Sequence, residues 1–132
     1  MSNRRKIRDR GYRTGYLRSP AWFARRDRWF THHARTADPL RCQACGIPDT
    51  KDQLELHHAD YTGVHRSETG TWIAQEPPDD LIPLHPYCHD LLHRLLDRDQ
   101  VLAHHRTRRD ATRIALDHLR RKLTHPAQEV TS

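Results

Sequence analysis

Clusters of cysteine and histidine at metal-binding spacing constrain this chain more than anything else in it: Cys42-x-x-Cys45, the pair His57-His58, His85-x-x-Cys88-His89, and then His93. A tetrahedral Zn²⁺ takes four ligands, so a single ion cannot use them all. CxxC and HxxC each offer two ligands from one tight turn. The 40 positions from Cys45 to His85 leave enough chain for a hairpin to close between them. The economical arrangement is a closed structural zinc held by Cys42, Cys45, His85 and Cys88, beside a second, open metal site built from histidines.

Helix geometry allows both sites to share one element. His89 and His93 stand at i and i+4, on one face. Cys88 precedes His89 by one position, about 100° around the axis, and so points elsewhere, towards the CxxC turn. Leu54-Glu55-Leu56-His57 alternates with strand period, and adjacent strand residues project to opposite faces. His57 and His58 therefore divide their labour: one imidazole holds a metal while its neighbour is free to take a proton, for which an unperturbed pKa of ~6.5 is suited.

The composition gives such a metal cross-link a purpose. The chain has 132 residues, of which 35% are hydrophobic and 30% charged, so one small-cored domain is expected. Ligands scattered in the unfolded chain meet only in the folded one, which turns binding free energy into folding free energy. A formal net charge of +6 makes a polyanion the first partner to expect. The 3 cysteines leave no even disulfide framework, while CxxC with HxxC uses them all, which points to a reducing, cytoplasmic setting. No apolar stretch follows the basic N-terminus as in a secretory signal, and none approaches the length of a membrane span.

Along the chain, residues 1–18 read as a basic arm, flexible until about Tyr16. Ser19-Pro20 supplies a helix cap and first-turn proline, and Trp22, Phe23, Trp29 and Phe30 recur on one face of a helix over about 20–33, as core. Asp38-Pro39 breaks the chain, and Cys42 to Gly46 resembles a zinc knuckle. Residues 59–78, with Gly63, Gly70, Pro77 and Pro78, read as one long loop of the kind that often carries function. Leu81 to Leu84 suits an edge strand because of Pro83. Pro86 opens a helix whose pattern breaks near Thr107 to Asp110 and runs on until Pro126. The domain is thus placed at 19–125, with its core at about 40–97, C-terminal helices at about 98–125, and a tail at 126–132. Arg4, Arg5, Arg25, Arg26 and Arg28 belong to a strongly basic first segment able to lie along phosphates.

The pattern as a whole resembles the HNH nuclease family. The likeness runs through Cys42 to Cys45, LELHHADY (Leu54 to Tyr61) and DDLIPLHPYCHDLLH (Asp79 to His93), with YLRSPAWFARRDRWF (Tyr16 to Phe30) similar to the helix that precedes the knuckle in many small members. It implies an α+β fold with a ββα-metal core and zinc knuckle, flanked by an N-terminal helix and C-terminal helices. It makes His58 the general base, and His57, His89 and His93 the ligands of a catalytic divalent metal, Mg²⁺ or Mn²⁺ first, with Zn²⁺ or Ni²⁺ as alternatives. His85 stands where a zinc-binding cysteine is usual. The middle asparagine of the family name falls at Asp80, which would orient the base and its loop; an aspartate accepts hydrogen bonds but cannot donate as an amide does.

The implied activity is metal-dependent hydrolysis of double-stranded DNA, with one active site per chain and the oligomeric state, monomer or dimer, left open. Two rivals use the same residues. In one, a non-catalytic zinc-stabilised DNA-binding module keeps the scaffold while Asp80 impairs the site. In the other, a small protein-interaction module uses the basic arm against acidic protein.

Overall fold

A computed structural model describes residues 14–98 and 107–124. A helical turn over residues 14–17 leads into helix α1, Pro20–His33, whose bounds follow from its ends: the Ser19 hydroxyl accepts the Trp22 amide at 3.2 Å, and Pro20 occupies the first turn. After the knuckle come β1 (Glu55–His58), β2 (Val64–Arg66), β3 (Trp72–Ala74), a 3₁₀ turn (Pro78–Asp80), β4 (Leu81–Leu84), α2 (Pro86–Arg98) and α3 (Arg108–Thr124). The architecture is mixed α+β.

Among the described residues there are two small antiparallel sheets: β1 pairs with β4, and β2 with β3. In the first, His57 lies opposite Ile82 and His58 opposite Leu81. Strand alternation then sends Leu56, His58 and Leu81 towards α1, and His57, Ile82 and Leu84 towards α2 and α3. Two apolar clusters form on the two sides. Tyr16, Trp22, Trp29, Phe30, Leu56, Val64 and Leu81 make one; Cys42, Ala44, Leu54, Leu84, Cys88, Leu92, Ala111, Ala115, Leu116 and Leu119 make the other. Pro83 is tolerated because a two-stranded sheet has only edge strands, and its carbonyl accepts the Gln43 amide at 2.9 Å, which ties the knuckle to β4.

The segment over 59–78, expected as one loop, contains the β2–β3 hairpin. Its strands have three residues each, too short for a period-2 pattern to stand out. Phe23 is 54% exposed, unlike Trp22, Trp29 and Phe30, so the aromatic stripe has three buried members and not four. Phe23 stands one turn from the helix start, about 100° round from Trp22, where it borders an open cleft. Tyr16, at the edge of the expected arm, is fully buried. A break at Thr107 is present: its hydroxyl accepts the Asp110 amide at 3.1 Å and caps α3. Residues 1–13, 99–106 and 125–132, with Arg4 and Arg5, lie outside the described residues.

Leu92 is fully buried where α2 meets α3. Leu92→Ala is expected to cost about 2–5 kcal/mol by opening a cavity there. Denaturant unfolding of the zinc-loaded protein measures it.

Candidate metal centres

The first centre is built by the knuckle and the start of α2. Chain reversal at Cys42 to Gly46 is closed by the Gly46 amide donating to the Cys42 carbonyl at 2.9 Å, and Gly46 takes φ +79°, which favours glycine. Cys42, Cys45, His85 and Cys88 each direct one ligand atom so that all lie within 4.8 Å of one another. Two sulfurs on one tetrahedral zinc, at a bond length of ~2.3 Å, stand about 3.8 Å apart, so the set fits such an ion. His85 faces inward: its Nδ1 is 3.4 Å from Cys45 Sγ and its Nε2 2.8 Å from Asp49 Oδ2. An ionised carboxylate only accepts, so His85 Nε2–H donates to Asp49 and the Nδ1 lone pair is left for a metal.

The thiols respond to this crowding in opposite ways. Burial works against the Cys42 thiolate, yet the amides of Cys45, His85 and Ala44 outweigh it and bring the thiol down to about 7. Burial, and then the charge of Cys42, push Cys88 up to about 12. The Cys42 thiolate in turn holds back the ionisation of Cys45 and Cys88, and a cation at their centre relieves that conflict. This Cys₃His group can hold a metal such as zinc.

The second centre brings together β1, α2 and α3. His57, His89 and His93 each direct a ring nitrogen to a common point, again within 4.8 Å of one another. His57 Nδ1 and His89 Nε2 are 3.2 Å apart, and His89 Nε2 and His93 Nε2 3.0 Å. The outer nitrogens are engaged as well: His89 Nδ1 lies 3.0 Å from Glu55 Oε1, and His57 Nε2 lies 3.4 Å from the Thr112 hydroxyl on α3. Glu55 accepts the His89 Nδ1 proton, which points the Nε2 lone pair inward. Burial first, then the neighbouring His89 and His93, hold His57 well below its ordinary range, in the neutral form a metal requires. Cys88 and His89 thus serve different centres from adjacent positions of α2.

His58 faces the other way. It is 3% exposed, stacked on Tyr61 at 4.3 Å between ring centroids and packed against Trp22 at 4.6 Å. Its Nε2 lies 2.7 Å from Glu76 Oε2. His57, His58, His89, His93, Tyr61 and Arg108 nevertheless line one cleft of about 290 Å³. Burial lowers the His58 pKa despite Glu76, and Glu76 itself is lowered because bonds from His58 and Tyr16 outweigh its burial. Unfolded, His58 binds a proton near 6.5 and Glu76 near 4.5; folded, both bind theirs only at lower pH. Acid therefore favours the unfolded chain. The melting temperature is expected to fall as pH drops from about 7.5 through 6.5 and further through 4.5; a scan of thermal unfolding against pH that rises in acid contradicts this.

Asp80 is buried, but its carboxylate does not reach His58. Arg109 of α3 takes it with both ends of the guanidinium, Nε to Oδ1 at 2.7 Å and Nη2 to Oδ2 at 2.8 Å. The link from Asp80 to the histidine strand runs through its main chain, whose carbonyl accepts the Ala59 amide at 2.8 Å. Arg25, expected at phosphates, is buried and donates from Nε and Nη2 to the Glu76 carbonyl at 3.2 and 2.8 Å. Arg26 is half-buried over Phe30 and donates to the Lys51 carbonyl at 2.8 Å. Arg28 is exposed, bonded to the Ala74 carbonyl at 3.3 Å.

Sequence reasoning missed Glu76, Glu55, Asp49, Thr112 and Arg109. Glu55 stands two residues before His57 on the same strand, which was a usable signal; the others meet their partners only through the tertiary fold. No family model, curated protein or solved structure matches this chain. No helix among the described residues is long and apolar enough to cross a membrane.

Proposed function

We propose that this chain is a metal-dependent endonuclease of the HNH type, hydrolysing phosphodiester bonds of DNA on a ββα-metal core formed by β1, β4 and α2. One observation carries the reading: three converging imidazoles and a separate buried histidine from the same strand open on a single cleft. A structural centre has no use for the fourth histidine. Here His57, His89 and His93 would hold the ion, and His58 would take the proton from the attacking water. Bound there, a divalent cation supplies positive charge for the non-bridging and leaving oxygens of the phosphate.

Arg108 adds positive charge to the same cleft, with its Nε 3.4 Å from the His58 carbonyl and its guanidinium over the Tyr61 ring. An all-imidazole donor set suits Zn²⁺ or Ni²⁺ better than Mg²⁺, which prefers carboxylate oxygens and water. Zn²⁺ or Ni²⁺ is therefore expected to bind this centre more tightly than Mg²⁺ or Mn²⁺, reversing the order that family likeness implied. Arg28, with the exposed arginines of α3, would hold the duplex through its phosphates. Such contacts carry no sequence information and weaken steeply with salt.

The test is nicking of supercoiled plasmid with Mg²⁺, Mn²⁺, Ni²⁺ or Zn²⁺, against a chelated control. Open circles under at least one ion are expected. Salt-sensitive binding without cutting under any of them replaces the reading with the zinc-stabilised DNA-binding module. Absence of DNA retention at low salt leaves the protein-interaction module.

A further inference from the structure

We propose that Glu76 is the positioning residue of His58, and that this carboxylate, delivered by the β2–β3 hairpin, takes the place at the base that Asp80 does not occupy; the inference rests on the nuclease reading above. Glu76 is 2% exposed. Burying a carboxylate is costly unless it is well paired. Here two donors converge on one oxygen: the Tyr16 hydroxyl donates to Oε2 at 2.6 Å, and His58 Nε2 lies 2.7 Å from the same atom. The other oxygen, Oε1, has no side-chain hydrogen-bond donor and faces the charge of Arg25, whose Nε stands 4.0 Å away. Both short hydrogen bonds thus fall on the oxygen that meets His58. The carboxylate is trained on His58.

The chemistry follows from the acceptor. An ionised carboxylate has no proton to give, so the proton of the neutral imidazole sits on Nε2 and Nδ1 carries the lone pair. When His58 takes a proton at Nδ1, the new positive charge forms beside a fixed negative one in a poorly screened interior, which stabilises it without reorganisation.

The backbone that presents Glu76 is held as firmly as its side chain. Arg25 grips the Glu76 carbonyl, and the Gln75 amide donates to the Gly63 carbonyl at 2.8 Å. Gly63 permits that approach: a Cβ there would fall 2.3 Å from the Gln75 oxygen and 2.6 Å from Glu76 Cα. Any side chain at 63 must push the Glu76 segment away from β2, leaving the glutamate chemically intact but displaced.

The experiment uses the full chain with its zinc. Imidazole-edited proton–nitrogen spectra of the wild type are expected to show a far-downfield, exchange-protected proton on His58 Nε2, which moves upfield or is lost to exchange in Glu76→Gln. In plasmid nicking, Glu76→Gln is expected to lower kcat about 100-fold, within the range for general-base catalysis, with KM for DNA changed less than twofold. The same substitution made on top of His58→Ala is expected to cost nothing further, because a residue acting through another has no effect once that partner is gone. Gly63→Ala should move the proton signal and kcat in the same direction, with circular dichroism confirming the fold. The proposal is overturned if the downfield proton is missing from the wild type, if Glu76→Gln keeps its kcat, or if the two losses multiply. A wild type that shows the proton yet never cuts DNA removes the nuclease reading and the base role with it, while retaining the pairing.

Discussion

Cys88→Ser is expected to leave the chain unfolded at 25 °C, and prolonged chelation of the wild type to do the same. Structural zinc sites contribute about 10–16 kcal/mol of binding free energy, while a domain of ordinary size is stable by only about 5–15 kcal/mol. This chain has little in reserve, with 35% of its residues hydrophobic and its described apolar residues divided between two clusters. Cys88 belongs to the larger cluster, beside Cys42, Ala44, Leu84 and Leu92, so losing the ion also leaves crowded polar sulfurs in the interior. Serine fills nearly the same space and is a poor zinc ligand, which separates loss of the ion from loss of volume. Far-ultraviolet circular dichroism with zinc quantitation reads the result. A Cys88→Ser protein that melts within a few degrees of the wild type would show that the knuckle is ornamental.

The second large effect is on cleavage. His58→Ala is expected to lower the nicking rate by about 10²–10⁴-fold, the usual share of a general base, while zinc content and DNA affinity stay within twofold. The side chain is packed, with Tyr61 stacked on it and Trp22 against it, so its removal opens a cavity. Truncating an aromatic ring in a core costs about 3–5 kcal/mol, and the comparison belongs well below the variant's melting temperature. His58→Gln, which fills more of that space but cannot serve as a base near neutral pH, should lose as much activity with less loss of stability. Cleavage by both variants at the wild-type rate would remove His58 from the reaction.

Both ligand sets were legible in the sequence because helix and strand geometry are local. A single step along α2 from Cys88 to His89 is enough to aim them at different clusters, and a single step from His57 to His58 puts them on opposite faces of β1. Helix α1 was equally legible, since Ser19, Pro20 and the spacing of Trp22, Trp29 and Phe30 act within a few turns. What the sequence concealed depends on contacts distant along the chain. Glu76 lies 18 residues from His58 and 60 from Tyr16, in a Pro-flanked stretch with no pattern of its own. The strands that deliver it are too short to announce themselves. Arg25 resembles its neighbours Arg26 and Arg28 in composition and charge, and only the carbonyl it meets makes it an internal brace. Asp80 likewise reads as a site residue by position until Arg109, 29 residues further on, claims its carboxylate.

Two ion centres sharing helix α2 are the claim on which the rest depends, and metal stoichiometry tests it most directly. Elemental analysis of protein saturated with zinc and then exposed to excess Ni²⁺, freed of loosely held ions, should give two tightly bound ions per chain. His89→Ala and His93→Ala should each retain one, the zinc, with the fold intact. Two retained ions in the His89→Ala/His93→Ala double variant, or a single ion in the wild type under the same loading, would contradict the account.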